Sequence, residues 1–315
     1  MKNQGVKNII MNIKRHSITK ERNMYELVQA VKNTYYIDSP SRVGLYKLSA
    51  NDACIIDSGN NRETGKRIKR ILDGEGLELK SILVTHAHAD HIGGNRYLES
   101  QYGCKIFAEG IECDMTRHTL LLPSLLYGAN PPRELKHKFL LAEESRACYL
   151  YEEALPEGFS VIELPGHTPH MVGYKTPDGA AFIADCISSR EALDKYGVGY
   201  VYDVEIYLQT LEKVKRLDAE IFIPSHAPVT ENVIPLVQYN IQKVNELCEC
   251  ITEICQEPKT SEEILSLVFE KYLLTINFEQ YALVGSTLRS YLTYLIEKQI
   301  LLPYFKDNKL YFERL

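Results

Sequence analysis

The chain contains no CxxC pair: its eight cysteines, at positions 54, 104, 113, 148, 186, 248, 250 and 255, are scattered. That spacing signals neither a zinc–thiolate site nor a disulfide framework, and it leaves the thiols to pack as small hydrophobes. Long apolar runs are missing too. Leu120-Leu121-Leu122 is cut short by Pro123, far below the ~20 residues that cross a bilayer. Ile9-Ile10-Met11 is followed at once by Asn12 and Lys14, so the apolar stretch of a secretory signal is not there either. A cytoplasmic protein without membrane spans is expected. Positive charge is not in excess: 36 Lys+Arg against 42 Asp+Glu leave a net charge of -6, which gives no general attraction for nucleic acid or anionic lipid.

What is present fits an ordinary globular composition, 45% hydrophobic and 25% charged over 315 residues, enough for about two domains. Residues 1–23 carry Lys2, Lys7, Lys14, Arg15, Lys20 and Arg22 with little apolar periodicity and read as a basic N-terminal arm. From Tyr25 the text turns strand-like in four short runs, ending at Asp57, broken by Asp, Ser, Pro and Asn, which predicts a β-meander. Thr64 to Leu72 has helical spacing and Leu79 to Val84 reads as a buried strand, so a parallel pair follows. Later strands are expected at 160–164, 172–175, 181–184 and 221–223, with a helix over 204–217. Mixed sheets covered by helices, an α/β (α+β) architecture, follow from that order.

Residues 109–158, with Pro123, Gly128, Pro131 and Pro132, interrupt the rhythm and read as a lid insertion. Residues 231–257 carry a long helical pattern ending at Glu257-Pro258, a linker helix and the expected seam. Residues 258–315 then read as two helices, the second over Val284 to Lys298, and a hairpin turning at Asp307-Asn308, the order of a winged-helix-like domain. Its seven bases face seven acids, namely Lys259, Lys271, Arg289, Lys298, Lys306, Lys309 and Arg314 against Glu262, Glu263, Glu270, Glu279, Glu297, Asp307 and Glu313. With that balance, docking or homodimer contacts are favoured over reading nucleic acid.

The chemistry is carried by His86-Ala87-His88-Ala89-Asp90-His91-Ile92-Gly93-Gly94, directly after a strand. Alternation along an extended segment puts His86, His88 and Asp90 on one side, which is metal-ligand geometry. A turn into a helix at Asp90-His91 brings His91 to the same cavity, and Gly93-Gly94 allow close backbone packing. Three further polar residues end apolar strands: His167 in Pro165-Gly166-His167-Thr168-Pro169, Asp185 after Ile183-Ala184, and His226 in Pro224-Ser225-His226-Ala227. Together with the first cluster they favour one shared site.

In order and spacing these motifs resemble the metallo-β-lactamase superfamily, over about residues 24–230. The resemblance implies a four-layer αββα sandwich with a metal site at the edge between the sheets. Carried over by position, it implies that His86, His88 and His167 hold one metal ion, that Asp90, His91 and His226 hold a second, and that Asp185 bridges both. Two divalent ions are then the cofactors; imidazole and carboxylate ligands suit Zn²⁺ first, with Fe or Mn as alternatives. A hydroxide bridging the two ions would be the nucleophile, and Asp90 is the candidate catalytic residue, orienting it or shuttling its proton. Asp57 stands where the family has an acid that accepts the other N–H of a ligand histidine.

The letters also depart from several branches. Asp185 stands where class B1 and B2 β-lactamases have cysteine, and the neighbouring Cys186 is out of register and reads as packing. His88 argues against the flavodiiron branch, which has glutamate there. The expectation is a hydrolase of a small ester, lactone or thioester. Its alternatives are an RNA or DNA phosphodiesterase and a mononuclear iron enzyme of the persulfide dioxygenase kind. Tyr127, in the Pro-rich insertion, and His170, after the second motif, are candidates for the substrate pocket.

Overall fold

Strand alternation sorts the side chains into three cores, and the cores define the layers. A computed structural model describes residues 25–151 and 154–315; the basic arm expected at 1–23 lies outside them. The first sheet runs β1 (Glu26–Val31), β2 (Thr34–Asp38), β3 (Val43–Lys47), β4 (Asp52–Ile56), then α1 (Arg62–Gly74) and β5 (Glu78–Leu83). After α2 (Ala89–Ile92) and α3 (Asn95–Tyr102), it is completed by β6 (Lys105–Ala108) and β7 (Ala147–Tyr149). Its order is sequential, antiparallel through β4 and parallel from β4 to β7. The second sheet contains β8 (Ser160–Glu163), β9 (Val172–Lys175), β10 (Ala180–Phe182) and β11 (Ile221–Ile223), ordered β11-β10-β9-β8 with only β10 and β11 parallel.

In β4, Cys54 and Ile56 point toward the second sheet and pack with Tyr174, Phe182 and Ile223, whereas Ala53 and Ile55 point outward against Ile68, Leu72 and Leu98. β10 does the same in reverse: Ala180 and Phe182 face the first sheet, while Ala181 joins the outer core. This period of two makes a sandwich with helices on both outer faces. The expected meander and the β4–α1–β5 parallel pair are present within a residue or two of their expected bounds.

The insertion is more structured than a loop. It forms α4 (Gly110–Arg117), α5 (Leu121–Tyr127), a single 3₁₀ turn at Arg133–Leu135 and the edge strand β7. Beyond β10 come α6 (Arg190–Tyr196), which the sequence reading did not foresee, and α7 (Val204–Val214).

The C-terminal part comprises α8 (Ile234–Ile254), α9 (Ser261–Lys271), α10 (Phe278–Glu297), β12 (Leu301–Lys306) and β13 (Lys309–Arg314). Asp307 and Asn308 have φ of +49° and +58°, the left-handed pair of a two-residue hairpin turn. α10 begins six residues before the expected Val284, because Asn277 caps it by accepting the Gln280 N–H. At the expected seam, Glu257-Pro258, α8 has ended and the chain passes on toward α9. Val237, Val244, Leu247 and Ile251 of α8 share one core with Leu211 and Phe222 on one side and with Ile264, Leu288 and Phe312 on the other. The linker helix expected over 231–257 corresponds to α8, which packs into this core.

Candidate metal centre

Parallel pairing of β4 with β5, and of β10 with β11, brings the C-terminal ends of strands from both sheets to one edge. Every residue singled out by the strand-ending motifs leaves from that edge: Asp57 after β4, His86 to His91 after β5, His167 after β8, Asp185 after β10 and His226 after β11. The two sheets are tied there by a Val172 N–H donating to the Thr85 carbonyl at 3.0 Å and the Tyr174 hydroxyl donating to the Val84 carbonyl at 2.9 Å.

Two groups of donor atoms form, His86, His88, His167 and Asp185 in one, Asp90, His91 and His226 in the other, each with its ligand atoms within 4.8 Å of one another. His86 Nε2 lies 3.0 Å and His167 Nε2 3.1 Å from His88 Nδ1. His226 Nε2 lies 3.0 Å from Asp90 Oδ2 and 3.3 Å from Asp185 Oδ2, and His91 Nε2 lies 3.3 Å from Asp185 Oδ1. Asp185 thus stands between the groups. The alternation expected for Asp90 stops one residue short, because α2 starts at Ala89 and turns Asp90 toward His226.

The outer nitrogens are held in a way that fixes which atom faces inward. His91 Nδ1 donates to Asp57 Oδ2 at 2.8 Å, His167 Nδ1 to the Tyr200 carbonyl at 3.1 Å, and His226 Nδ1 to the Pro40 carbonyl at 2.8 Å. The Thr85 hydroxyl donates to Asp57 at 2.8 Å and therefore accepts from His86 Nδ1 at 3.0 Å. With Nδ1 engaged outward, Nε2 is the nitrogen that each of these rings turns toward the centre, and the one that would meet an ion.

A cation suits this arrangement. His86 and His167 both aim lone pairs at His88 Nδ1, which has at most one proton to give. Asp185 Oδ1 is buried and makes no well-formed hydrogen bond, although His91 Nε2 lies 3.3 Å away; such an oxygen costs free energy unless a cation, or a proton on that ring, sits beside it. Burial, together with neighbouring imidazoles, holds His86 well below the usual histidine range and His88 at about 3. Burial also disfavours charge on His91 and His226, but Asp185, Asp90 and, for His91, Asp57 overcome it. His226 is pushed up to about 10 and His91 well above its ordinary value. Burial thus favours neutral rings in the first group, whereas in the second the carboxylates favour a protonated ring that an ion would have to displace.

Several supporting residues carry no motif. Arg42 donates to the Pro224 carbonyl at 3.0 Å and to the Ala227 carbonyl, and pairs with Asp38 at 3.2 Å, pinning the His226 loop to the turn that presents Pro40. Gly166 has φ +120°, and an added Cβ would fall 2.4 Å from Tyr207 Cα. Its carbonyl accepts from Tyr202 and Asp203 N–H at 2.9 and 3.0 Å. Only glycine lets the His167 loop lie against α7 in this way.

A cavity of about 360 Å³ opens onto Asp90, His88, His167 and His226. Leu122 and Leu126 of α5, Phe139, Leu140 and Leu283 form its apolar wall, and Glu279 of α10 also lines it. Neither pocket residue expected from sequence reaches this wall. Tyr127 lines an adjoining groove with Leu126, Tyr202 and Ser290, and His170 lines another cavity with Glu109 and Lys213. Cys186 is fully buried in the outer core of the second sheet.

A sandwich of two sheets with paired three- and four-residue donor groups at its edge defines a metallo-hydrolase. The chain belongs to the metallo-beta-lactamase superfamily, whose family model matches residues 37–226. It is similar to a beta-lactamase-like protein 2 homolog of Drosophila melanogaster, 24% identical over 245 residues, covering 75% of this chain and 72% of that protein. It is also similar to an atrochrysone carboxyl ACP thioesterase of Aspergillus fumigatus, 28% identical over 193 residues, 60% of this chain and 51% of that one. In fold it resembles the crystal structure of a beta-lactamase domain protein from Burkholderia ambifaria, with a TM-score of 0.71 at 16% identity, covering 93% of this chain and 94% of the other. Among the described residues no helix is long and apolar enough to cross a membrane.

Proposed function

We propose that the chain hydrolyses a small, uncharged ester, lactone or thioester at two divalent ions, Zn²⁺ in the first instance. His86, His88 and His167 would hold one ion, Asp90, His91 and His226 the other, with Asp185 between them. Such ions supply a nucleophile at neutral pH by lowering the pKa of a shared water to about 7. The chain's own part is to aim five imidazoles and two carboxylates inward, to exclude bulk water with Leu122, Leu126, Phe139 and Leu283, and to offer Asp90 as the group that orients the water and takes its proton.

The observation that carries the substrate class is the cavity wall. Apart from the donor groups, Glu279 is the one charged side chain among the described residues that line it. A lining of apolar side chains with neutral polar groups such as Ser41, Asn60 and Tyr200 and a carboxylate disfavours a phosphodiester or another anionic body and suits an acyl group. The Aspergillus relative's name, a thioesterase, supports the acyl reading. The presence of two donor groups favours a dinuclear centre over a mononuclear iron enzyme. The C-terminal unit, read as winged-helix-like, then serves to close the pocket through Glu279 and Leu283.

Zinc-reconstituted protein assayed against matched neutral esters, lactones and thioesters, with an RNA and a phosphodiester alongside, tests the reading. Turnover of one acyl class, lost in Asp185→Ala, is expected. No acyl turnover by protein holding two ions would overturn it.

A further inference from the structure

Glu112 belongs to none of the motifs, yet it is 1% exposed and lies immediately behind the three-histidine group. It projects from α4, in the insertion. Its Oε2 accepts the Ala87 N–H at 2.9 Å, and its Oε1 accepts the Thr168 hydroxyl at 2.6 Å and the His170 N–H at 3.2 Å. Ala87 is flanked by His86 and His88, and Thr168 follows His167. One oxygen therefore holds the loop after β5 and the other the loop after β8, which come from different sheets.

Backbone bonds within either sheet do not set the distance between these loops. The tie at Val172 and Thr85 stops short of the ligands themselves. The carboxylate fills that role: it accepts only, it faces three donors, and two of those donors are backbone N–H groups that cannot turn away. We propose that Glu112 is a positioning residue of the metal centre, holding the His86–His88 loop and the His167 loop at the separation that lets three imidazoles share one ion. The inference rests on the metal-centre reading and is independent of the substrate.

The chemistry of the site makes Glu112→Gln a sharp probe. The shape is kept, but in either orientation the new amide NH₂ faces a backbone N–H, of Ala87 or of His170, so one loop loses its anchor. Glu99 provides the control. It is also a buried glutamate, 5% exposed, but it is bonded to Arg146 at 2.7 Å and Arg96 at 3.3 Å and is not hydrogen-bonded to a ligand loop.

The test uses full-length protein stripped with chelator and titrated with Co²⁺, followed by its visible absorption and by competition with a chelating dye. Glu112→Gln is expected to weaken cobalt binding at the site of His86, His88 and His167 by about 10–100-fold and to shift its absorption bands, while Glu99→Gln lowers the melting temperature and changes neither. Should Glu112→Gln fail to fold, Thr168→Val removes a single donor, and a several-fold loss of cobalt affinity is expected from it. Unchanged affinity and spectrum in the variant that folds, or an equal loss in Glu99→Gln, would overturn the positioning role. Failure of the unmodified protein to bind cobalt would overturn the metal centre itself, and the role of Glu112 with it.

Discussion

Asp57 Oδ2 accepts the Nδ1–H of His91 at 2.8 Å and, on the same oxygen, the hydroxyl of Thr85, which in turn receives His86 Nδ1. One buried carboxylate thus sets the inward-facing nitrogen of a histidine in each donor group. Its other oxygen accepts the Thr85 N–H at 2.8 Å, so an amide at this position would keep its oxygen on that N–H and turn its NH₂ toward His91. The ring would then carry its proton on Nε2, where the ion should sit. Asp57→Asn is expected to weaken the site of Asp90, His91 and His226 by about 10–100-fold. Elemental analysis after dialysis should then find one ion retained where the unmodified protein keeps two. Retention of both would remove Asp57 from the account.

Ion binding to that same group should expel protons. Without a cation His226 is pushed up to about 10 by Asp185 and Asp90, against the effect of burial, from an ordinary value of 6.5. Coordination needs the neutral ring, so between those two values binding must displace the proton, and affinity must rise with pH. Titration calorimetry of Zn²⁺ at pH 8, in two buffers of different ionisation enthalpy, should report at least one proton released for the ion at this group. His86 and His88, held neutral by burial, should add none for the other ion.

Gly166 is the position where the backbone has least choice. At φ +120°, with Tyr207 Cα 2.4 Å from any added Cβ, Gly166→Ala combines an unfavourable conformation with a clash against α7. A loss of about 2–4 kcal/mol is expected. Thermal unfolding in the presence of chelator should show it, separating the effect on folding from any effect on ion binding. An unchanged melting temperature would mean that the loop can slide past α7.

How far the sequence foretold this molecule depends on the range of the interaction. The donor residues were legible because each lies in a motif that follows an apolar strand, and strands ending at one edge of a parallel pair must converge. The hairpin at Asp307-Asn308 was legible because its turn chemistry is local. Glu112, Arg42 and Tyr200 were not, since Glu112 and Arg42 act on backbone groups, and the Tyr200 carbonyl on a side chain, that are distant in the chain and brought near only by folding. β7 is three residues long and carries no periodicity of its own. The start of α10 could have been found from Asn277, whose capping role is a local signal. Tyr127 is a different case. An aromatic residue in an insertion says nothing about which side of its helix meets the site, and the structure turns Leu122 and Leu126 inward in its place.

The cavity wall has its own test. Leu283 comes from α10, far along the chain from every donor residue, yet it lines the same cavity as Asp90 and His226. If the apolar part of the substrate lies against it, Leu283→Gln should lower kcat/KM by about tenfold, the effect expected from losing most of a leucine's apolar contact. The loss should appear chiefly in KM, because the ions and Asp90 are untouched, and ion content should stay at the unmodified level. Tyr127→Phe, in the neighbouring groove, should leave both parameters unchanged. A loss in kcat alone for Leu283→Gln would place the substrate elsewhere and leave α10 a purely structural wall, whereas equal effects from both variants would mean that cavity and groove act as one binding surface.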